Sequence, residues 1–340
     1  MQTDVRGGGL LSFTTPAGTN PRGVPALGGR RVAVVGAGAS GLACANELLS
    51  SGVAVTVFET ERLPGGIAML NGEGSGARSM VSAEVTRLRA QGGELRCGIQ
   101  VGPGGQLAFS ALEREHAAIF VSVGLGGVRD LDIPGELLPG VYDAITFMRR
   151  IKTAGAMPVR AGERAVVIGG GTLALDAALL ARQVTGVDVS VVFRHGPAEL
   201  AAQVLAVGQA RAAGVRFIFH AQPMRVVGRD RAQALECLRV TATSPRRYAA
   251  VPGSELTLPA DAIIKATGQQ PRIDVCRGIP GLPLDAGRPH HDAETYQTPN
   301  PRYFVGGSFR TGLKDFGLAL LEGRRAAHAI RRYLETGSAR

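Results

Sequence analysis

Three glycines and one carboxylate carry the clearest chemistry in this chain: Gly36, Gly38 and Gly41 in the run Gly36-Ala37-Gly38-Ala39-Ser40-Gly41, and Glu59, 18 residues beyond the last glycine. Glycine at the first position permits a tight turn. At the second it removes the Cβ that would hold a backbone away from a pyrophosphate, and at the third it lets a helix approach a sheet. Ala39 and Ser40 open that helix, whose unpaired N–H groups and partial positive charge favour an anion. A carboxylate at Glu59 suits the hydroxyls of an adenosine ribose. The chemistry is the recognition of a dinucleotide.

The elements that must position these residues are legible around them. Val32 to Val35 is an apolar run of strand type, the segment from Gly41 to Gly52 has helical period, and Val53 to Phe58 is a second strand that delivers Glu59. Strand, glycine turn, helix, strand and acid stand in the order a dinucleotide site requires. Further on, Val81 to Gln91 reads as a helix and Glu94 to Val101 as a short strand. His116 to Gly124 is an apolar strand ending in glycine, and in an open parallel sheet such ends border the ligand crevice, which places Gly124 to Gly127 beside the first dinucleotide.

The pattern then repeats. Ala165 to Ile168 is a buried strand, followed by Gly169-Gly170-Gly171-Thr172-Leu173-Ala174, a helix to about Gln183 and a strand from Val187 to Phe193. Gly169, Gly171, Thr172 and Leu173 are the second set of phosphate-binding candidates. Aligning VTVFE with SVVFR puts Arg194 where the first repeat has Glu59, so a cation stands where a 2′-phosphate would lie, with His195 as a supporting donor. Val215 to Phe219, Leu235 to Thr241 and Leu256 to Gly268 read as strands completing this half, the last ending at a cofactor-facing Ala266-Thr267-Gly268. The chain returns to the first half through Tyr303 to Ser308 and closes in a helix from about Asp315 to Leu334. Two dinucleotide folds in one chain point to a flavin, FAD, in the first and NADP(H) or NAD(H) in the second. The expected class is α/β: two Rossmann-like three-layer domains, the second inserted in the first. Their expected bounds are an N-terminal arm at 1–30, an FAD-binding domain at 31–150 and 271–340, and an NAD(P)H-binding domain at 151–270.

Composition narrows the function. The 340 residues are 45% apolar, ample for two domains, and no apolar run reaches the ~20 residues of a membrane span. Residues 1–29 lack the basic start and apolar core of a secretory signal, so the expected location is the cytoplasm. The net charge of +10 is almost wholly arginine, with Lys152, Lys265 and Lys314 the only lysines. Only 5% of residues are aromatic, and arginines do not interleave with them, which speaks against nucleic acid. Cys44, Cys97, Cys237 and Cys276 are far apart, without the spacing of a redox disulfide, a zinc site or an iron–sulfur cluster; no metal ligands are expected.

Taken together, GAGASG with Glu59, SVGLGGVRDLDIPGELLPGVYDAITFMRR at 122–150, GGGTLALDAA at 169–178, ATGQQP at 266–271, FVGGS at 304–308 and EGRRAAHAI at 322–330 resemble the FAD/NADPH module shared by the small subunit of bacterial glutamate synthase and dihydropyrimidine dehydrogenase. The similarity runs from about residue 30 to the end. It implies further FAD contacts at Gly66, Val101, Gly307 and Ser308. It also implies a flavin that takes a hydride from NAD(P)H and exchanges single electrons with an iron–sulfur partner subunit. The family's cysteine-rich N-terminal domain is replaced here by about 30 polar residues, its GGD by Gly306-Gly307-Ser308, and the second arginine expected after Arg194 by His195-Gly196-Pro197-Ala198. Catalysis by a flavin needs no acid–base dyad. The start of the last helix, with Lys314, is expected to set a dipole and an ammonium near an anionic reduced flavin. Two alternatives stand beside the electron-transfer subunit: a self-sufficient reductase with a diffusible acceptor, and a non-catalytic FAD-binding assembly subunit.

Overall fold

The computed structural model describes residues 11–14, 29–70, 76–154, 157–244, 247–285 and 287–339. They divide into two compact units, one of residues 1–126 and 271–340 and the other of residues 127–270. The arm expected at 1–30 lies mostly outside the described residues. Ser12–Phe13, within it, is a short strand antiparallel to Leu95 and Arg96, where the sequence reads as loop.

The first unit is built on a six-stranded sheet in the order Ser12–Phe13, Glu94–Cys97, Ala54–Glu59, Arg31–Val35, Ala118–Val121, Tyr303–Val305. All neighbours after the first pair are parallel, with Val34 level with both Val57 and Phe120. Successive strand residues point to opposite faces, and both faces are covered, as a parallel sheet requires. Val32, Val34, Val55 and Val57 pack with Leu42, Leu48, Ala327 and Ile330. Ala33, Val35, Ile119 and Val121 pack with Phe109, Leu112 and Ile279 on the other side. On the first face, the helices Ala39–Ser50 and Phe316–Thr336 come so close that a Cβ on Gly323 would lie 2.1 Å from the Ser40 carbonyl oxygen.

The second unit has a five-stranded parallel sheet, ordered Arg216–Phe219, Val189–Phe193, Ala165–Ile168, Ala262–Lys265, Val141–Asp143. The helix Thr172–Thr185 follows its central strand. Over Val166, Ile168 and Ile263 lies an apolar layer from a separate antiparallel sheet made by Ala221–Val227, Ala234–Ser244, Arg247–Ala250 and Leu256–Pro259. Two sequence expectations are corrected here. The run 256–268 is two strands in two sheets, broken at Asp261, whose carboxylate takes the Arg164 backbone N–H and guanidinium. Residues 127–150 belong to the second unit, because Val141–Asp143 pairs in parallel with Ile263–Lys265. A short strand after a long loop has no periodicity to reveal its sheet partner.

Candidate dinucleotide sites

Gly36 leaves the strand Arg31–Val35 with φ +105, and a Cβ there would lie 2.7 Å from the Ser122 carbonyl oxygen. Ser122, at the end of the neighbouring strand, donates its N–H to Val35 O at 2.9 Å and its hydroxyl to Gly36 O at 3.3 Å. Gly41 is needed by the same turn: its Cβ would stand 1.9 Å from Gly36 O. Gly38 differs. It has an ordinary φ of −75, caps the helix Ala39–Ser50 without any side-chain hydrogen bond, and faces no atom within 4 Å of an added Cβ. Ala39, Ser40 and Gly41 form the first turn of that helix, whose N–H groups have no intrahelical acceptor, and the Cα face of Gly38 beside them is open, the arrangement a pyrophosphate fits.

Glu59 is buried and holds the turn. One carboxylate oxygen accepts Ala37 N–H at 2.8 Å and the other accepts Glu61 N–H at 2.9 Å. Each oxygen has two lone pairs, so the same carboxylate retains acceptor capacity for a ribose. Gly66, at φ +56, would carry a Cβ 3.6 Å from the Gly38 Cα, and Gly65 donates its N–H to Ala37 O. Gly307 approaches from the last strand: a Cβ there would be 2.7 Å from the Ser40 Cβ. Ser308 follows as the first residue of the short helix Ser308–Thr311. The Ser40 hydroxyl beneath them is buried with no partner among the described residues. An orphaned hydroxyl at an open helix N-terminus beside a carboxylate fits a dinucleotide such as FAD.

The structure therefore brings Gly36, Gly38, Ala39, Ser40, Gly41, Glu59, Gly66, Gly307 and Ser308 to one place. Gly124, at φ +68 and two residues past Ser122, is open. Val101 is a core residue among Phe58, Phe109 and Val35, and two residues before it Ile99 donates its N–H to Glu59 O at 2.9 Å. Lys314 is exposed, outside this hydrogen-bonded set. The dipole expected beside it is modified, because Asp315 caps the last helix by accepting Leu318 N–H at 2.7 Å.

The second turn repeats the first. Gly169 has φ +137, and its Cβ would lie 2.5 Å from Ala266 O. Ala266 donates to Ile168 O as Ser122 does to Val35 O, and Gly268 is in the positive-φ region like Gly124. Gly171 caps the helix without a side chain and is open above; Thr172 and Leu173 begin that helix. Thr267 sends its hydroxyl to Arg129 O, away from the turn's own amides.

The register corrects one sequence alignment. Val35 is level with Phe58 and Ile168 with Val192, and Gly36 and Gly169 donate their N–H groups to those same two partners. Phe193, not Arg194, therefore occupies the place of Glu59. A Cβ on Gly170 would touch its ring at 2.4 Å, where the Ala37 amide meets Glu59 in the first turn. Matching FE to FR slips the strand by one residue, which reverses every side chain. Arg194 lies one step further on and is exposed. Its Nε donates to His195 Nε2 at 3.3 Å, and His195 Nδ1 is hydrogen-bonded to the Tyr248 hydroxyl. His195 is thus an acceptor for Arg194 rather than a free donor. Tyr248, from a strand that no periodicity announces, was missed by sequence reasoning.

Two glycine turns under uncapped helix N-termini, one with a carboxylate and one without, define an oxidoreductase of the two-dinucleotide class. The pyridine nucleotide-disulphide oxidoreductase family matches residues 30–323, and the chain belongs to it. It is 32% identical over 327 residues to the glutamate synthase [NADPH] small chain of Halomonas elongata, covering 90% of this chain and 68% of that one. It is 31% identical over 307 residues to the NAD-dependent dihydropyrimidine dehydrogenase subunit PreT of Escherichia coli, covering 90% and 68%. Its fold is similar to that of Mycobacterium tuberculosis FprA in complex with NADPH, with a TM-score of 0.70 at 20% identity over 90% of this chain and 84% of that one. The chain is a flavoenzyme that uses FAD and a nicotinamide dinucleotide. Among the described residues no helix is long and apolar enough to cross a membrane.

Proposed function

We propose that this chain is an electron-transfer subunit: it holds FAD at the first glycine turn and NADP(H) at the second, and passes electrons to an iron–sulfur partner. FAD held at the first turn by Gly38, Ser40 and Glu59 would supply hydride acceptance from the nicotinamide and one-electron release. The chain's own residues bind and orient. Ala39, Ser40 and Gly41 offer their N–H groups to the FAD pyrophosphate, Glu59 accepts from its ribose, and Gly307 and Ser308 close over Ser40. At the second turn Phe193 replaces the ribose acid, and Arg194 meets the 2′-phosphate.

The observation that carries the outward route is the state of the cysteines. All four are buried and free, with no partner for a disulfide. Burial pushes the Cys97 and Cys237 thiols up to about 12 and Cys276 to about 11, and raises Cys44 as well. Buried thiols held in their protonated form and lying in separate parts of the core disfavour the dithiol relay that the family's name suggests. Relatives named as a small chain and as a subunit support an acceptor on another polypeptide. The protein is to be isolated from its host under mild conditions and titrated with NADPH without oxygen. Bleaching of a yellow cofactor, followed by reduction of a co-purifying iron–sulfur protein, is expected. A lone flavoprotein that turns over its natural acceptor at full rate with no iron in the preparation overturns the reading.

A further inference from the structure

Arg194 has no carboxylate partner among the described residues, yet it is not a loose surface side chain. Its Nε is tied to His195 Nε2, and its guanidinium carbon stands 5.7 Å from the centre of the Tyr248 ring. His195 is itself wedged. Its ring meets Tyr248 edge-on with centroids 5.0 Å apart, and Phe193 lies 4.7 Å away. Tyr248 Oη holds the remaining nitrogen, Nδ1.

Proton bookkeeping orders this chain of contacts. A guanidinium can only donate, so Nε2 is an acceptor. A neutral imidazole then carries its proton on Nδ1 and donates it to Tyr248 Oη, fixing the tautomer. Burial, with the nearby Arg194 charge, holds His195 below its ordinary range and keeps the ring neutral at pH 7, against an opposing pull from Glu199. Among the described residues only the Nε donor of Arg194 is engaged in a hydrogen bond. Its two terminal amino groups remain for an external dianion, on a side chain whose rotamers are already restricted before binding.

We propose that His195 and Tyr248 are positioning residues that hold Arg194 ready for an adenosine 2′-phosphate, so that preference for the phosphorylated dinucleotide is set by three residues and not by Arg194 alone. The inference rests on the assignment of NADP(H) to the second turn. Phe193 completes the arrangement by packing where the first site keeps a ribose-binding acid, which removes the carboxylate that would repel the phosphate.

The test uses the FAD-loaded full chain and two probes that differ only in the phosphate, 2′,5′-ADP and 5′-AMP. Flavin content and the circular dichroism spectrum check that each variant is folded. Arg194→Ala is expected to lower 2′,5′-ADP affinity by about tenfold or more and to leave 5′-AMP within about twofold. Tyr248→Phe and His195→Ala are expected to lower 2′,5′-ADP affinity by about fivefold, again without a matching loss for 5′-AMP. Because they act through Arg194, neither should weaken binding further in the Arg194→Ala background. Selective loss in Arg194→Ala with none in Tyr248→Phe or His195→Ala overturns the positioning role and leaves the 2′-phosphate site standing. No selective loss in Arg194→Ala removes the underlying NADP(H) assignment. Equal losses for both probes in Tyr248→Phe make it a general nucleotide contact, and also overturn the proposal.

Discussion

The glycines of the first turn have different duties, and two substitutions separate them. Gly38 has a backbone conformation open to any residue and empty space above it. Gly38→Ala is expected to leave the stability of the apoprotein within about 0.5 kcal/mol of the parent while weakening FAD by about tenfold or more. Gly41→Ala forces a methyl onto a backbone oxygen at 1.9 Å and should destabilise the fold itself by about 1–3 kcal/mol. Urea unfolding of the apoproteins beside flavin titrations distinguishes the two. Equal stability losses would mean that Gly38 is also structural. A second residue-level expectation concerns His116. Its Nδ1 donates to Leu112 O at 3.0 Å, while Nε2 is buried without a partner among the described residues. Burial foremost, helped by Arg31 and Arg96 and opposed by the Leu112 carbonyl, lowers its pKa. The unfolded chain then binds the proton more readily, so stability is full above the ordinary histidine value near ~6.5 and falls as pH drops below it. His116→Phe should flatten that part of the profile, measured as urea midpoints between about pH 7.5 and 5.

At the scale of elements, the last helix is locked to the first site by a buried ion pair. Arg310, on the short helix after Gly307, donates from Nε and Nη2 to the two carboxylate oxygens of Glu322, each at 2.6 Å. Its face lies 4.7 Å from the Tyr296 ring, and His291 Nε2 accepts from Nη1 at 3.1 Å. Glu322 precedes Gly323, the residue that lets the last helix touch Ser40. Arg310→Met leaves a charge buried and uncompensated, with an expected cost of about 3–5 kcal/mol, whereas replacing both partners, Arg310→Met with Glu322→Leu, should recover most of it. Thermal unfolding checks the order of the three proteins. If the double variant is as unstable as the single one, the pair is needed for more than mutual compensation.

At the scale of the whole molecule, the four cysteines sit in the apolar interiors of the two units and do not meet. Native protein should therefore show almost no reaction with a thiol reagent, all four thiols should appear on unfolding, and alkylation before unfolding should leave anaerobic flavin reduction by NADPH unchanged. Loss of flavin reduction on alkylating the native protein would restore a thiol to the electron path.

What the sequence by itself determined is what depends on short-range chemistry. GAGASG and GGGTLA each require a turn, a helix start and a flanking strand within a few residues, so both turns, their glycines and the Glu59 carboxylate were readable from residue type and spacing. The internal repeat then implied two Rossmann-type folds. What only the tertiary structure decided depends on register and on long separations. A one-residue slip between FE and FR is invisible to pattern matching, because both strands alternate apolar residues equally well, yet it places Phe193 under the second turn and moves Arg194 beyond it. Val141–Asp143 joins the second unit only through pairing with residues more than a hundred positions away. Tyr248 reaches His195 across 53 residues on an edge strand of mixed burial. Such contacts arise from strand pairing and packing between distant segments, and local periodicity records neither.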